Sequence, residues 1–415
     1  MSTDRRTLLL DGAKILAISL GLLFVAESCL RIAQPEKVLD IASDRQRIRD
    51  LAYRFDPEYL VALKPGAIKT YQRSHANGGQ TIRWRVNKSS FRGRELRPDP
   101  GTRVIVYGDS NVQARFSALE DTFPARLERE LTSLWGSDVE VVNAGLVGAG
   151  PDQALLRMAG DIERFAPDRI VLHVFADNDF GDIVRNRLFE LDGDGALVRS
   201  GRPATLDPDL RSTRSRLLLP GAARDLAGRI LRRILGPEPR PKRPEGSRAE
   251  LLVGEILGDC EEEFRIYQER RPRAFSHFDD HYDMDLSLHP DSPAGREKVR
   301  LMEAVLAEAA RVAEEKGVSL DVVIQPSSRD LTTNMLPNYT DLQRFPEYRR
   351  QRLSEIIDGI CERLRIPRVN LYPLFLRSDP DSLYFIDDGH WNDAGQALAA
   401  REVAEQMRAE SPRKG

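Results

Sequence analysis

Apolar positions in this chain recur with two periods. Short unbroken runs, such as Val104 to Tyr107 in "RVIVYGDSNVQA", have the length and composition of buried strands. They alternate with segments whose apolar residues return every three or four positions. In "EDTFPARLERELTSLW" these are Phe123, Leu127, Leu131 and Leu134, with Asp121 or Thr122 as the cap. "DVEVVNAG" and "DRIVLHVFADND" predict a second and a third strand, with a helix opening at Pro151 between them. After a long irregular stretch the rhythm returns. The helical pattern "AGREKVRLMEAVLAEAARVAEEKG" leads to a fourth strand, "VSLDVVIQPSS". The helix "EYRRQRLSEIIDGICERLRI" leads to a fifth, "PRVNLYPLF". "NDAGQALAAREVAEQMRAE" closes the pattern as a helix, with Asn392 or Asp393 near its cap. Single helices between strands predict an α/β fold, a three-layer α/β/α sandwich around a mainly parallel sheet.

Three regions break the rhythm. Residues 1–33 carry Arg5 and Arg6 ahead of an apolar stretch from Leu8 to Ile32, interrupted by Asp11, Lys14 and Glu27. This arrangement predicts a single-pass signal anchor in the cytoplasmic membrane, with the arginines inside and the following domain periplasmic or extracellular. A cleaved signal is the rival reading, but no good small-x-small site follows. "DRRTLLL" loosely matches a twin-arginine signal, and Glu27 makes Cys29 a poor lipoprotein site. Residues 34–100 form a polar extension in which "TIRWRVNKSSFRGREL" predicts a strand and a turn. The main domain then runs over 101–410, with an insertion at about 181–293. In that insertion, residues 214–235 are basic and amphipathic, and suit a membrane-surface helix, a lid or an ordinary packed helix. "GPEPRPKRPEGSR" has the composition of a linker.

Composition narrows the function classes. Across 415 residues the formal net charge is -3, which gives no argument for nucleic-acid binding. Three cysteines, Cys29, Cys260 and Cys361, are too few for a disulfide scaffold and form no zinc pair. A Cys260–Cys361 bridge would need a suitable Cα separation, which sequence does not supply.

The candidate chemistry collects beyond the strand ends. In an open parallel sheet, reactive groups lie at the carboxyl edge. Ser110 follows the first strand, "NAGLVGAG" the second, "ADND" the third, and "DDGH" precedes the last helix. A serine hydroxyl needs a base and something to orient that base. His390 is one of six histidines, and Asp387 lies three residues before it. Asp388 competes for the orienting role, but Asp387 is the preferred reading. The Ser110 and Gly148 N–H groups and the Asn178 amide are candidate oxyanion donors.

These four blocks resemble the SGNH hydrolase superfamily, the GDSL esterases and lipases, whose blocks contribute Ser, Gly, Asn and His. "GDSN" matches the first block and makes Ser110 the nucleophile. "NAGLVGAG" resembles the second, with Gly148 rather than Gly145 as donor. "ADND" resembles the third, with Asn178. "DDGHWNDAG" matches the last, with Asp387 and His390. The resemblance covers about 101–180 and 318–408, and implies a flavodoxin-like sheet and no cofactor or metal. Two positions depart from the family pattern: Ala114 and Ala176 stand where glycine is common. Each adds a methyl that would narrow the site.

The resemblance implies a serine esterase working through an acyl-serine, and with the expected N-terminal anchor this becomes a membrane-anchored enzyme acting on a glycan O-acetyl or lipid ester. An envelope polysaccharide O-acyltransferase on the same fold is the alternative, as is a non-catalytic protein binding a glycan or a partner. Other readings compete at single residues. Asp109 is a rival base or a turn stiffener. Trp391 lines a pocket or packs under the last helix. "SHFDDHYDMDLSLH", with His277, His281, His289, Asp279, Asp280, Asp283 and Asp285, is a weak metal or substrate candidate, more often a solvated loop.

Overall fold

The computed structural model describes residues 18–26, 28–29, 52–200, 246–269, 281–332, 345–386 and 388–408. Contacts divide the chain into two units, residues 1–51 with 207–242, and residues 52–206 with 243–415. The second holds all the elements named here.

It opens with two antiparallel hairpins, β1 (Tyr53–Asp56) with β2 (Leu60–Leu63), and β3 (Ile68–Gln72) with β4 (Thr81–Arg85). Strand β5 (Thr102–Tyr107) leads to the short helix α1 (Ser110–Gln113) and then to α2 (Phe123–Trp135). There follow β6 (Val139–Asn143), α3 (Pro151–Phe165), β7 (Arg169–Ala176) and α4 (Asp179–Asn186). The insertion adds a hairpin, β8 (Phe189–Leu191) with β9 (Leu197–Arg199), and the helix α5 (Gly246–Gln268). Next come α6 (Met284–Leu288), α7 (Pro293–Glu315), β10 (Ser319–Pro326) and α8 (Ser328–Leu331). The chain continues through α9 (Arg352–Leu364), β11 (Arg368–Asn370), α10 (Tyr372–Leu376) and α11 (Asp393–Met407).

The sheet has five strands in the order β11-β10-β7-β5-β6, all parallel. The chain leaves β5 toward β6 on one side and returns to β7 on the other. The carboxyl end of β5 is therefore the point where connections diverge, and the loops after β6 and β7 flank it. Helices α2 and α11 pack with Val104, Val106, Val171 and Val323 on one face. Ile105, Ile170, Leu172, Val322 and Ile324, which alternate with them, are equally buried. Helices α3, α7 and α9 lie against β7 and β10.

Capping follows the side-chain chemistry. Thr122 Oγ1 accepts from the Ala125 N–H at the start of α2, and Asn392 Oδ1 accepts from Ala394 and Gly395 at the start of α11. The fifth strand is shorter than "PRVNLYPLF" predicts. Asn370 Oδ1 accepts the Tyr372 N–H, and Pro373 sits in the first turn of α10, so the chain turns into a helix there.

Among the described residues no helix is long and apolar enough to cross a membrane. Most of the expected anchor, the basic stretch at 214–235, most of the linker at 236–248, and His277, Asp279 and Asp280 lie outside them. Cys260 and Cys361 are both buried and free.

Candidate active site

Strand β5 gives way to Gly108, which sits in a crowded turn. A Cβ there would stand 2.5 Å from Val112 Cγ2 and 2.9 Å from His173 Cβ. Asp109 then caps α1: its carboxylate accepts from the Asn111 N–H at 2.9 Å and from Asn111 Nδ2 at 3.1 Å. Asp109 is thus a turn stiffener, which leaves Ser110 at the first position of the helix. Gly145, in the loop after β6, presses on the same turn, and a Cβ on it would lie 2.2 Å from the Gln113 nitrogen. Asn143 Nδ2 donates to the Val112 carbonyl, fastening that loop to α1.

The histidine arrives from the other end of the domain. The Trp391 N–H donates to Asn111 Oδ1 at 3.2 Å, and Gln396 Nε2 donates to the Asn111 carbonyl at 3.1 Å. These bonds set the loop before α11 against α1. His390 Nε2 then stands 2.7 Å from Ser110 Oγ. Its Nδ1 is hydrogen-bonded to Asp388 Oδ1, which also accepts the His390 N–H at 2.9 Å. With the proton on Nδ1, Nε2 accepts from the Ser110 hydroxyl.

The carboxylate bonded to the His390 ring is Asp388, while Asp387, the preferred expectation, lies outside the described residues. The reason is the turn: a carboxylate two residues back reaches both the backbone and the ring nitrogen of His390. Burial opposes the Asp388 charge. The His390 charge, its hydrogen bonds and Arg115 outweigh that, and hold the carboxyl well below its usual range.

Gly148 occupies the turn after β6 with φ of 64°, and Asn178 lies two residues beyond β7, at the cap of α4. Both loops flank Ser110 at one sheet edge. Among the described residues neither the Ser110 nor the Gly148 N–H donates to a protein acceptor. Ala114 and Ala176 are both buried. Ala114 caps α1 in the left-handed region at φ 50°, a conformation that suits glycine. Trp391 is packed under the last helix, edge-on to His173 at 5.4 Å.

Sequence reasoning missed the support around this edge. Arg92, from the extension, is buried and donates to the carbonyls of Gln113, Ala114 and Ser117, closing the open end of α1. Burial lowers its pKa to about 9. The Asp283 N–H donates to the Asp177 carbonyl at 2.7 Å, and Asp283 Oδ2 accepts from the Gly181 N–H. Arg185 donates to the Asn178 carbonyl at 3.3 Å, and to Asp182 and Glu263, each at 2.7 Å. Lys298, with no exposed side chain, donates to Asp283 at 2.9 Å and Asp285 at 3.1 Å. Burial works against the Lys298 charge, but Asp283, Asp285 and Glu263 raise its pKa well above normal. Acidic residues expected in a solvated loop instead surround a buried lysine.

A family model described as the SGNH hydrolase-like domain of the acetyltransferase AlgX matches residues 286–415, a stretch that holds Asp388 and His390. The fold is SGNH hydrolase-like. In this SGNH-like chain, Ser110 and Asn178 lie before the matched stretch. Similar solved structures include a lipase/acylhydrolase from Enterococcus faecalis, 13% identical over 76% of this chain and 99% of that one, with a TM-score of 0.36. Another is a catalytic mutant of the acetylxylan esterase Axe2 from Geobacillus stearothermophilus, at 12% identity over 75% and 96%, with a TM-score of 0.36. A third is the psychrotrophic esterase EstA from Pseudoalteromonas sp., at 12% identity over 74% and 98%, with a TM-score of 0.33. No curated protein sequence matches the chain.

Proposed function

We propose that this protein is an acyl-serine enzyme that transfers an acetyl group to a hydroxyl of an envelope polysaccharide. The observation that carries the reading is the unbroken hydrogen-bonded path from Asp388 through His390 to the Ser110 hydroxyl. The match to the AlgX acetyltransferase domain supports transfer over hydrolysis. The order of Arg5, Arg6 and the apolar stretch supports membrane anchoring with the domain outside the cytoplasm.

In this mechanism Ser110 Oγ attacks the carbonyl carbon of an acetyl ester while His390 Nε2 takes the hydroxyl proton. The N–H groups of Ser110 and Gly148 and the Asn178 amide hold the oxyanion. The C–O bond to the donor alcohol breaks, and that alcohol leaves with the proton from His390. A sugar hydroxyl then gives its proton to His390 and attacks the acetyl-serine, and Ser110 departs reprotonated. Asp388 holds the ring and stabilises the imidazolium.

The test is fluorophosphonate labelling of the full chain and of Ser110→Ala, then product analysis with p-nitrophenyl acetate and candidate glycans. Labelling lost in the variant, with acetyl appearing on the glycan faster than as free acetate, is the expected result. Free acetate as the sole product would replace transfer by the esterase reaction. No labelling of Ser110 would remove the acyl-serine altogether.

A further inference from the structure

A cleft of about 420 Å³ has Asp388 of the triad in its lining and falls within the size range of small-ligand sites. The β3–β4 hairpin forms one wall, through Gln72, Ser74 and Asn77, and Phe116, Phe385 and Ile386 form the other. A smaller cavity of about 160 Å³, between residues 92–97 and Glu128, touches none of the triad.

The cleft is built, because its two walls are stapled together. The Ile386 N–H donates to Asn77 Oδ1 at 2.7 Å, and Asn77 Nδ2 donates back to the Ile386 carbonyl at 3.2 Å. Phe116 and Phe385 meet edge to face at 6.2 Å. Ile386 remains 43% exposed at the rim, an apolar side chain left in water next to reactive groups. Gln72 is exposed, and among the described residues its amide makes no protein hydrogen bond. Aromatic and aliphatic surface beside the Gln72 amide and the Ser74 hydroxyl, which accepts from Asn77 Nδ2 at 2.9 Å, matches the chemistry of a sugar ring, with its C–H face and its rim of hydroxyls.

We propose that this cleft is a glycan subsite, holding the sugar next along the chain from the one that is acylated at Ser110. The inference rests on the acyl-serine reading for its neighbour, but not for its own binding. Asp388 lines the cleft and also bonds the His390 ring that faces Ser110, so a monosaccharide at Ser110 leaves the cleft empty and an oligosaccharide fills it.

The experiment compares mono- and tetrasaccharide acetates, in a neutral cello-series and a uronate series, with Gln72→Ala and Ile386→Ser, both at exposed positions. Two readouts are used: the ratio of kcat/KM on tetrasaccharide to that on monosaccharide, and calorimetric binding of the tetrasaccharide to full-length Ser110→Ala with each change added. A fall of roughly tenfold in the ratio and in affinity is expected. An unmoved ratio and affinity in both variants, with wild type binding the tetrasaccharide, would overturn the subsite while leaving the acyl-serine intact. Absent labelling of Ser110, with binding that still depends on Gln72, would remove the acyl-serine and retain the subsite.

Discussion

Arg73 grips both carboxylate oxygens of Asp393, at 2.7 and 2.8 Å, across 320 positions of sequence. The same carboxylate accepts from Ser117 Oγ at 2.8 Å, and Arg73 Nε donates to the Phe116 carbonyl at 2.6 Å. The β3–β4 hairpin, the chain after α1 and the start of α11 are therefore one unit. His390 lies three residues before that clamp.

Replacing Arg73 should loosen all three. Arg73→Met is expected to cost about 2–3 kcal/mol, since it removes charge-assisted bonds and leaves Asp393 without its cation. Urea denaturation of the full chain measures this, and an unchanged midpoint would argue that the clamp is idle.

The orienting carboxylate is tested by paired substitutions. Asp388→Asn should lower kcat by roughly 10³ to 10⁴, because the amide no longer fixes the Nδ1–H tautomer. Asp387→Asn should change it less than about tenfold. Equal losses would place the two carboxylates in one shared role.

The buried network below Asn178 makes a stability prediction. Lys298→Met leaves Asp283, Asp285 and Glu263 with one cation fewer, and should destabilise by about 3–5 kcal/mol. Thermal and urea melts read the loss. Little change would mean that the carboxylates take up protons at no cost.

Asp330 supplies a pH signature. It is buried, accepts from the hydroxyls of Tyr282 and Tyr348, and its carboxyl is pushed up to about 8, chiefly by burial. The unfolded value is about 4, so the folded state binds the extra proton between these limits. Its contribution to stability is complete below about pH 4 and is lost as pH rises through about 8. Asp330→Asn keeps the shape without the titration. The difference in unfolding free energy between the proteins should grow by a few kcal/mol, about 2–5, from pH 5 to 9 in favour of the variant. A constant difference would show that Asp330 does not titrate there.

Gly145→Ala tests the contact beneath the nucleophile. The new Cβ would overlap the backbone of Val112 and Gln113, so α1 must move. A loss of about 3 kcal/mol, with labelling of Ser110 slowed, is expected. A stable and fully reactive variant would mean that α1 tolerates displacement.

The alternation of strands and helices along the chain and the Ser110–His390 pairing were legible because each rests on a local pattern repeated along the chain: an apolar run, a turn of small residues, then a cap. The choice between Asp387 and Asp388 was not, since two adjacent carboxylates differ only in the path of a turn. Nor were Arg73 and Arg92. An arginine in a polar extension looks solvated until its acceptors, here the Asp393 carboxylate and the open carbonyls of α1, are brought beside it by tertiary folding. The same holds for Asp283 and Asp285, whose cation comes from a helix later in the chain. Asn370 and Pro373 did carry a readable stop signal within the fifth strand, one that the apolar run around it obscured.

The clamp between Arg73 and Asp393 has a kinetic corollary. Contacts this distant in sequence form slowly, because so much chain entropy is lost before they reward it. A refolding polypeptide can complete its central strands while the imidazole is still adrift from the serine. Regain of probe reactivity should then lag behind regain of secondary structure, making the reacting pair a clock for the last closure of the domain.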